Sequence, residues 1–363
     1  MNDRAKDQAK WYGIGLTVLP LGFVVLGLIS LAIFFLKANE EAGQGGENAE
    51  NAIIFRKDIE LADLRDYIDM LAVSIGERNL ANYGNLQQAA TWLESVLGPN
   101  NMGFKVERQT YQVGGKDCHN IEVQITGKSK PDEIVVIGAH YDSVIGTPGA
   151  DDNASGVAAL VCLANSFVGT APQRTLRFVG FANEEPPHFQ TSAMGSYVYA
   201  KRCKEREEKI VAMLSLESLA YYSDEKGSQD YPPSLSARYP DTGNFAAVVG
   251  NLKSKALIDQ VAARLEASAG GVPVEKLSFL ASLPGVGWSD HWSFWEFGYS
   301  AAMVTDTAPY RNPHYHKPSD LPGTLDFDRL QKVTIGLRDV IAELVGDTGA
   351  MKRPVGKSAK KTK

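Results

Sequence analysis

Five short stretches of this 363-residue chain carry imidazoles and carboxylates where strand and helix patterns break off. The first is Ile134-Val135-Val136-Ile137-Gly138-Ala139-His140-Tyr141-Asp142, an apolar run that stops at a histidine and an aspartate. His140 and Asp142 are two apart, so on an extended segment they share a face and the carboxylate can orient the ring. The second is Gly149-Ala150-Asp151-Asp152-Asn153-Ala154-Ser155-Gly156, acidic residues ahead of an Ala-rich apolar helix. The third and fourth, Phe181-Ala182-Asn183-Glu184-Glu185-Pro186-Pro187 and Ser215-Leu216-Glu217, are strand-like runs ending in carboxylates. The fifth is the loop Asn312 to Asp320, which holds His314 and His316.

Taken singly, each group has an ordinary explanation. His140 reads as a satisfied histidine at a strand end, Glu184 and Glu185 as a solvated pair at a helix start, and Glu217 as half of a buried ion pair. Asp151, Asp152 and Asn153 compete to cap the following helix, and Asp151 reads as structural. Together they form the inventory of a two-zinc hydrolase. Nitrogen and oxygen ligands suit zinc, and a shared carboxylate can hold two ions about 3.5–4 Å apart. An unligated carboxylate must then accept the proton of the attacking water and pass it to the leaving amine. Glu184 and Glu185 can divide that work, one as base and one as ligand.

Two other arrangements are weaker. His188 follows Glu184 by four, but Pro186-Pro187 breaks the helical spacing that a metalloprotease helix needs. Ser289-Asp290-His291 has the residue types of a serine mechanism but no Gly-x-Ser-x-Gly elbow. Trp288, Trp292, Phe294, Trp295 and Phe297 read as core or pocket lining, and Tyr310 and Arg311 as lining of the cleft.

The elements that must position these groups alternate. Helical periodicity runs over 58–75 and 86–97, strand patterns over 104–113 and 120–125, then the buried strand ending at His140 and the helix from Ser155. A strand over 175–182, a helix over 193–204 and a strand over 210–216 follow. A long loop-like stretch covers 223–244. A helix over 255–267, a strand over 301–305 and a closing helix over 327–344 complete the chain. The predicted fold is a single α/β domain with a mostly parallel sheet flanked by helices, whose ligand crevice lies beyond the carboxyl ends of the strands.

The combination Gly-Ala-His140-Tyr-Asp142-Ser, Gly-Ala-Asp-Asp152-Asn-Ala-Ser-Gly, Asn-Glu184-Glu185-Pro-Pro and Tyr315-His316-Lys-Pro-Ser-Asp320 resembles one zinc-peptidase family over about residues 55–344. That family holds the bacterial secreted leucine aminopeptidases, with glutamate carboxypeptidase II and glutaminyl cyclase as distant relatives. The resemblance implies a phosphorylase/hydrolase-like zinc exopeptidase fold and two zinc ions per chain bridged by Asp152. It implies that His140 and Glu217 complete one metal site and Glu185 and His316 the other. Glu184 would be general base and acid, and Tyr315 would steady the oxyanion. Beside the resemblance, Asp320, four residues after His316, reads as the group that orients that ring, as Asp142 does for His140. A cis peptide between Asp152 and Asn153 is also implied. The chain departs from the pattern at Glu217, usually Asp, at Asn153, often Asp or Gly, and in the longer stretch 223–244.

The expected activity is removal of N-terminal residues from peptides with a free amino group. Single-zinc glutaminyl cyclase chemistry is the alternative, though those enzymes resemble this pattern with a ligand missing. A dipeptidase or carboxypeptidase would need arginines in the cleft, for which only Arg311 and Arg238 offer themselves. A non-catalytic receptor on the same fold would be expected to have lost ligands that this chain retains.

The ends carry a separate message. Residues 11–36 contain no charge, long enough to cross a bilayer as a helix. Arg4, Lys6 and Lys10 precede the span, so the positive-inside rule leaves residues 1–10 cytoplasmic and the catalytic domain, 53–346, outside the cytoplasm. Residues 37–52 read as a flexible linker and 347–363 as a basic disordered tail. The net charge of −6 argues against nucleic acid as a partner. Cys118, Cys162 and Cys203 lack zinc-finger spacing, and the sequence leaves a Cys118–Cys203 disulfide open, as it does the oligomeric state.

Overall fold

The apolar run Ile134–Ile137 becomes the middle of strand β3 (Lys130–His140), an inner strand whose alternate side chains enter two different cores. Val135, Ile137 and Ala139 join one apolar layer, and Ile134 and Val136 the other. Burial on both faces explains why this strand reads as a continuous apolar run rather than an alternating one. The computed structural model describes residues 58–346 except 233 and 234. All of them fall in the compact unit that begins at Phe55. The expected membrane span 11–36, its flanks and the tail 347–363 lie outside the described residues. Among the described residues no helix is long and apolar enough to cross a membrane.

In chain order the elements are α1 (Leu61–Asp69), α2 (Tyr83–Leu97), β1 (Val106–Val113), β2 (Lys116–Ile125), β3, α3 (Gly156–Ser166), β4 (Arg174–Phe181) and α4 (Gly195–Glu205). They continue with β5 (Lys209–Glu217), β6 (Ala246–Asn251), α5 (Lys255–Ser268), β7 (Val274–Phe279), α6 (His291–Glu296), β8 (Ala301–Thr305) and α7 (Phe327–Val345). The eight-stranded sheet has the order β1-β2-β4-β3-β5-β8-β6-β7. Strands β4, β3, β5 and β8 are mutually parallel, so their carboxyl ends share one edge. Strands β1 and β2 add antiparallel at one side. On the other, β6 runs antiparallel to β8 and parallel to β7. The sheet is therefore mixed, with a parallel centre as expected.

Strands β6 and β7 and helix α6 were not legible beforehand. β6 is short and opens Ala-Ala, a composition with little strand preference. Partners on both sides make it a strand. The cysteines are all free and buried, so no Cys118–Cys203 disulfide forms.

A fully buried arginine, Arg78, ties the segment after α1 to the exit of β3. Its Nε donates to Tyr141 O at 2.6 Å, and its terminal nitrogens donate to Pro148 O at 2.5 Å and Gly149 O at 2.8 Å. Burial lowers its pKa to about 10, against the pull of Asp142, Asp320, Asp152 and Glu185. Those carbonyls belong to the turn that leads into Asp152, so the guanidinium acts as an internal strut. Arg78→Met should cost about 3–5 kcal/mol, because it strands buried acceptors and removes a cation from among carboxylates. Urea unfolding would measure it, and an unchanged midpoint would exclude the strut role.

Candidate metal centre

The exits of the parallel strands carry the side chains singled out by sequence. Asp152 stands between two imidazoles: its Oδ1 lies 3.3 Å from His140 Nε2 and its Oδ2 lies 3.1 Å from His316 Nε2. On the first side Glu217 Oε2 is 3.2 Å from His140 Nε2, and on the second Glu185 Oε2 is 3.3 Å from His316 Nε2. His140, Asp152 and Glu217 form one group close enough to hold a metal ion, and Asp152, Glu185 and His316 another. His140, Glu184 and Glu185 also lie close together, but Glu184 Oε2 stands 4.0 Å from His140 Nε2. His140 Nε2, Asp152 Oδ1, Glu185 Oε1 and His316 Nε2 are buried without a hydrogen-bond partner. Buried polar atoms are ordinarily partnered. Orphans gathered on either side of Asp152 fit divalent cations, and a nitrogen and oxygen donor set fits zinc.

Local structure explains how each group is aimed. Of the three candidate helix caps, Asn153 takes the role: its Oδ1 accepts the N–H groups of Gly156 and Ser218 at 3.1 and 3.0 Å. Its Nδ2 donates to Leu216 O at 2.9 Å. The amide thus grips both neighbours of Glu217 and leaves Asp152 free of capping duty. A side chain at Gly156 would meet Asn153 Oδ1 at 2.3 Å and Leu216 O at 2.5 Å, so this approach requires glycine. The peptide between Asp152 and Asn153 is cis. Asn183, Ser218 and His316, beside or within the cluster, have positive φ of 59°, 46° and 56°. Non-glycine residues held there gather at functional sites.

Asp142 and Asp320 do different work. Asp142 Oδ1 lies 3.4 Å from His140 Nδ1, and its two oxygens accept the backbone N–H groups of Glu184 and Glu185 at 3.1 Å each. It therefore holds ring and glutamate pair together. Asp320 departs from expectation: its oxygens accept the N–H groups of Asp151 and Asp152 at 2.9 and 3.2 Å. It fixes the turn that carries Asp152 rather than the His316 ring. Of the two histidines in the last loop, His316 reaches the cluster, while His314 Nδ1 meets Ser319 Oγ at 2.9 Å. Asn312 donates to Asp151 Oδ2 at 2.8 Å and fastens that loop to the Asp152 turn.

Ser289 is buried and donates to Glu217 Oε2 at 2.7 Å, with Ser215 Oγ 2.7 Å behind it. It is a support for the carboxylate, in keeping with the lack of a nucleophile elbow. Arg311 is also turned inward, donating to Gln229 Oε1 and Phe245 O at 2.7 and 2.8 Å rather than facing the cleft. Sequence reasoning missed Arg78, a lone basic residue with no periodic or motif signal.

The electrostatics follow from crowding. Burial alone would lower His140, but Glu217, Glu184, Asp142 and Asp152 raise it well above its ordinary range. His316 is likewise opposed by burial yet raised to about 10 by Asp152 and Glu185. Burial would raise Asp152, but the two imidazoles hold it well below the usual carboxylate range. Burial, with Asp152 beside it, pushes Glu185 up to about 7. Burial, assisted by Glu217 and Glu185, raises Glu184 well above a free carboxyl. Burial also raises the Tyr315 phenol, keeping it protonated and able to donate.

A model of peptidase family M28 matches residues 120–341. The chain belongs to peptidase family M28, and is an enzyme of the hydrolase class. It is 35% identical over 283 residues to the Uncharacterized protein YfbL of Escherichia coli (strain K12), covering 76% of this chain and 85% of that one. It is 26% identical over 355 residues to Leucine aminopeptidase 1 of Trichophyton equinum, covering 85% of each. Among solved structures, BSAP, a zinc aminopeptidase from Bacillus subtilis, superposes with TM-score 0.64 at 15% identity, over 81% of this chain and 98% of that one. Fimbriiglobus ruber glutaminyl cyclase superposes with TM-score 0.57 at 20% identity, over 81% and 99%. Both structures share the fold.

The raised histidines make a prediction. Without metal, His316 keeps its proton until about pH 10. Its stabilising contribution is complete below its unfolded pKa near 6.5 and is lost as pH rises through about 10. A cation must displace such protons, so loading zinc near pH 7.5 should release at least one proton per chain. Calorimetry in two buffers of different ionisation enthalpy measures this; a buffer-independent enthalpy would contradict it.

Proposed function

We propose that the chain is a two-zinc aminopeptidase that removes N-terminal residues from peptides with a free amino group. One observation carries the reading: a single carboxylate, Asp152, faces two imidazoles with separate oxygens, and each imidazole has its own glutamate. His140, Asp152 and Glu217 would hold one zinc, and Asp152, Glu185 and His316 the second. When bound, zinc supplies Lewis acidity, polarising a carbonyl and making water acidic enough to attack near neutral pH.

The remaining work belongs to the chain. Glu184 stands back from His140 compared with the ligand carboxylates, and its peptide N–H is fixed on Asp142. A carboxylate raised by burial and close to the cluster is suited to take a proton from water at neutral pH and return it to the departing amine. Tyr315 keeps its proton and can donate to the oxygen that becomes negative as the carbonyl is attacked. Asp142 and Asp320 hold the Glu184–Glu185 pair and the Asp152 turn, so neither must reorganise during reaction. Next to Glu217 and Tyr315 opens a mostly apolar pocket, open to solvent at its mouth, which would receive the first side chain.

Glutaminyl cyclase chemistry is the weaker reading, because both His140 and His316 are present and both reach Asp152. A carboxypeptidase is disfavoured by the inward engagement of Arg311. The uncharged stretch 11–36 and the basic residues ahead of it support an anchor with the catalytic domain outside the cytoplasm.

Glu184→Gln should lower kcat on leucine anilide by about 10²–10⁴-fold while zinc content stays near two per chain. Wild-type turnover by this variant would refute its role. N-acetylated substrates should resist cleavage, and their hydrolysis would exclude an aminopeptidase.

A further inference from the structure

The pocket beside Glu217 has a floor set by strand register. Glu217 of β5 pairs with Thr305 of β8, Thr305 with Ala247 of β6, and Ala247 with Glu275 of β7. Paired residues on adjacent strands point to the same face, and all four line the pocket. With strands about 4.8 Å apart, the row runs about 14 Å from the metal-side glutamate to a second one. Between them stand only a threonine and an alanine. The pocket is thus a trough with a ligand carboxylate at its head and a free carboxylate at its end.

Among the described residues no cation pairs with that end, and Arg238, beside Tyr239, is exposed and does not line the pocket. Lys276 also borders the pocket, but its Nζ is held by Asp259 at 2.6 Å. Arg311 is engaged with Gln229 and backbone carbonyls. The Tyr239 and Tyr231 hydroxyls, from the long stretch 223–244, donate to Lys276 O and Pro240 O at 2.9 and 2.5 Å. Among the described residues no hydrogen bond or ion pair reaches the Glu275 carboxylate, which is half-buried. Burial, and then Glu266 close by, raise its pKa, a sign that it is held without a compensating cation.

We propose that Glu275 makes this pocket selective for an N-terminal lysine or arginine, whose stem lies along the apolar trough and whose cation reaches the Glu275 carboxylate. Long basic side chains have this dual character, an apolar stem and a charged head. A neutral side chain of equal length fills the trough but covers a carboxylate without pairing it, which is costly. The aromatic walls favour the same occupant, since cations are attracted to ring faces. The inference rests on the aminopeptidase reading for the placing of the substrate's amino group, and it goes beyond that reading in naming the side chain.

The test compares lysine and norleucine p-nitroanilides, which differ only by the terminal ammonium. The zinc-loaded protein should show kcat/KM at least tenfold higher for lysine, mostly through KM. In Glu275→Gln the lysine-to-norleucine ratio should fall to near one. A wild-type ratio at or below one, or a ratio unmoved by the substitution, overturns the proposal. If no free-amino anilide is cleaved at all, the aminopeptidase reading itself has failed. The pocket is then judged by calorimetric binding of lysinamide against norleucinamide. A lysinamide preference that Glu275→Gln abolishes sustains the Glu275 selectivity, and equal binding of the two amides refutes it.

Discussion

The cluster at the sheet edge depends on how one carboxylate is freed and aimed. Asp152 sits in an acidic turn ahead of α3, where its simplest use would be to cap the helix. Asn153 takes that duty, its amide oxygen on Gly156 N and its amide nitrogen on Leu216 O. Asp320 meanwhile accepts the backbone N–H groups of Asp151 and Asp152. With its backbone held, the Asp152 side chain can present one oxygen to His140 and the other to His316. Residues from β3, the α3 turn and the last loop meet there.

That arrangement is electrostatically demanding. Several carboxylates converge where burial disfavours each charge, and two imidazoles offset only part of the repulsion. Like charges in a low-dielectric site are tolerated when cations join them. The same logic explains why the support is so dense in fixed donors: Asp142 takes two peptide N–H groups, and Glu217 takes hydroxyls from Ser218 and Ser289. Arg78, deep behind the turn, adds positive charge while bracing the carbonyls of Tyr141, Pro148 and Gly149.

The pocket obeys a different constraint. Its floor is a cross-strand row in which small residues separate two glutamates, and its walls come partly from the stretch 223–244. The central parallel strands carry the carboxylate and imidazole cluster, and the pocket runs from Glu217 on β5 across β8 and β6 to β7.

Much of this was legible from residue order alone. Apolar runs that end abruptly in His140, Glu184–Glu185 and Glu217 announce buried strands whose tips face a crevice, because a strand covered on both faces can carry polar groups only where it leaves the sheet. The Ala-rich run after Asp152 likewise reads as a buried helix. Tertiary structure alone decided which of Asp151, Asp152 and Asn153 caps that helix, that Asp320 serves the turn rather than His316, and that Arg78 belongs to the site. These are contacts between segments far apart in the chain, and no local period encodes them. Glu275 was hidden for the same reason: its strand is short, and only pairing through β6 and β8 sets it in line with Glu217.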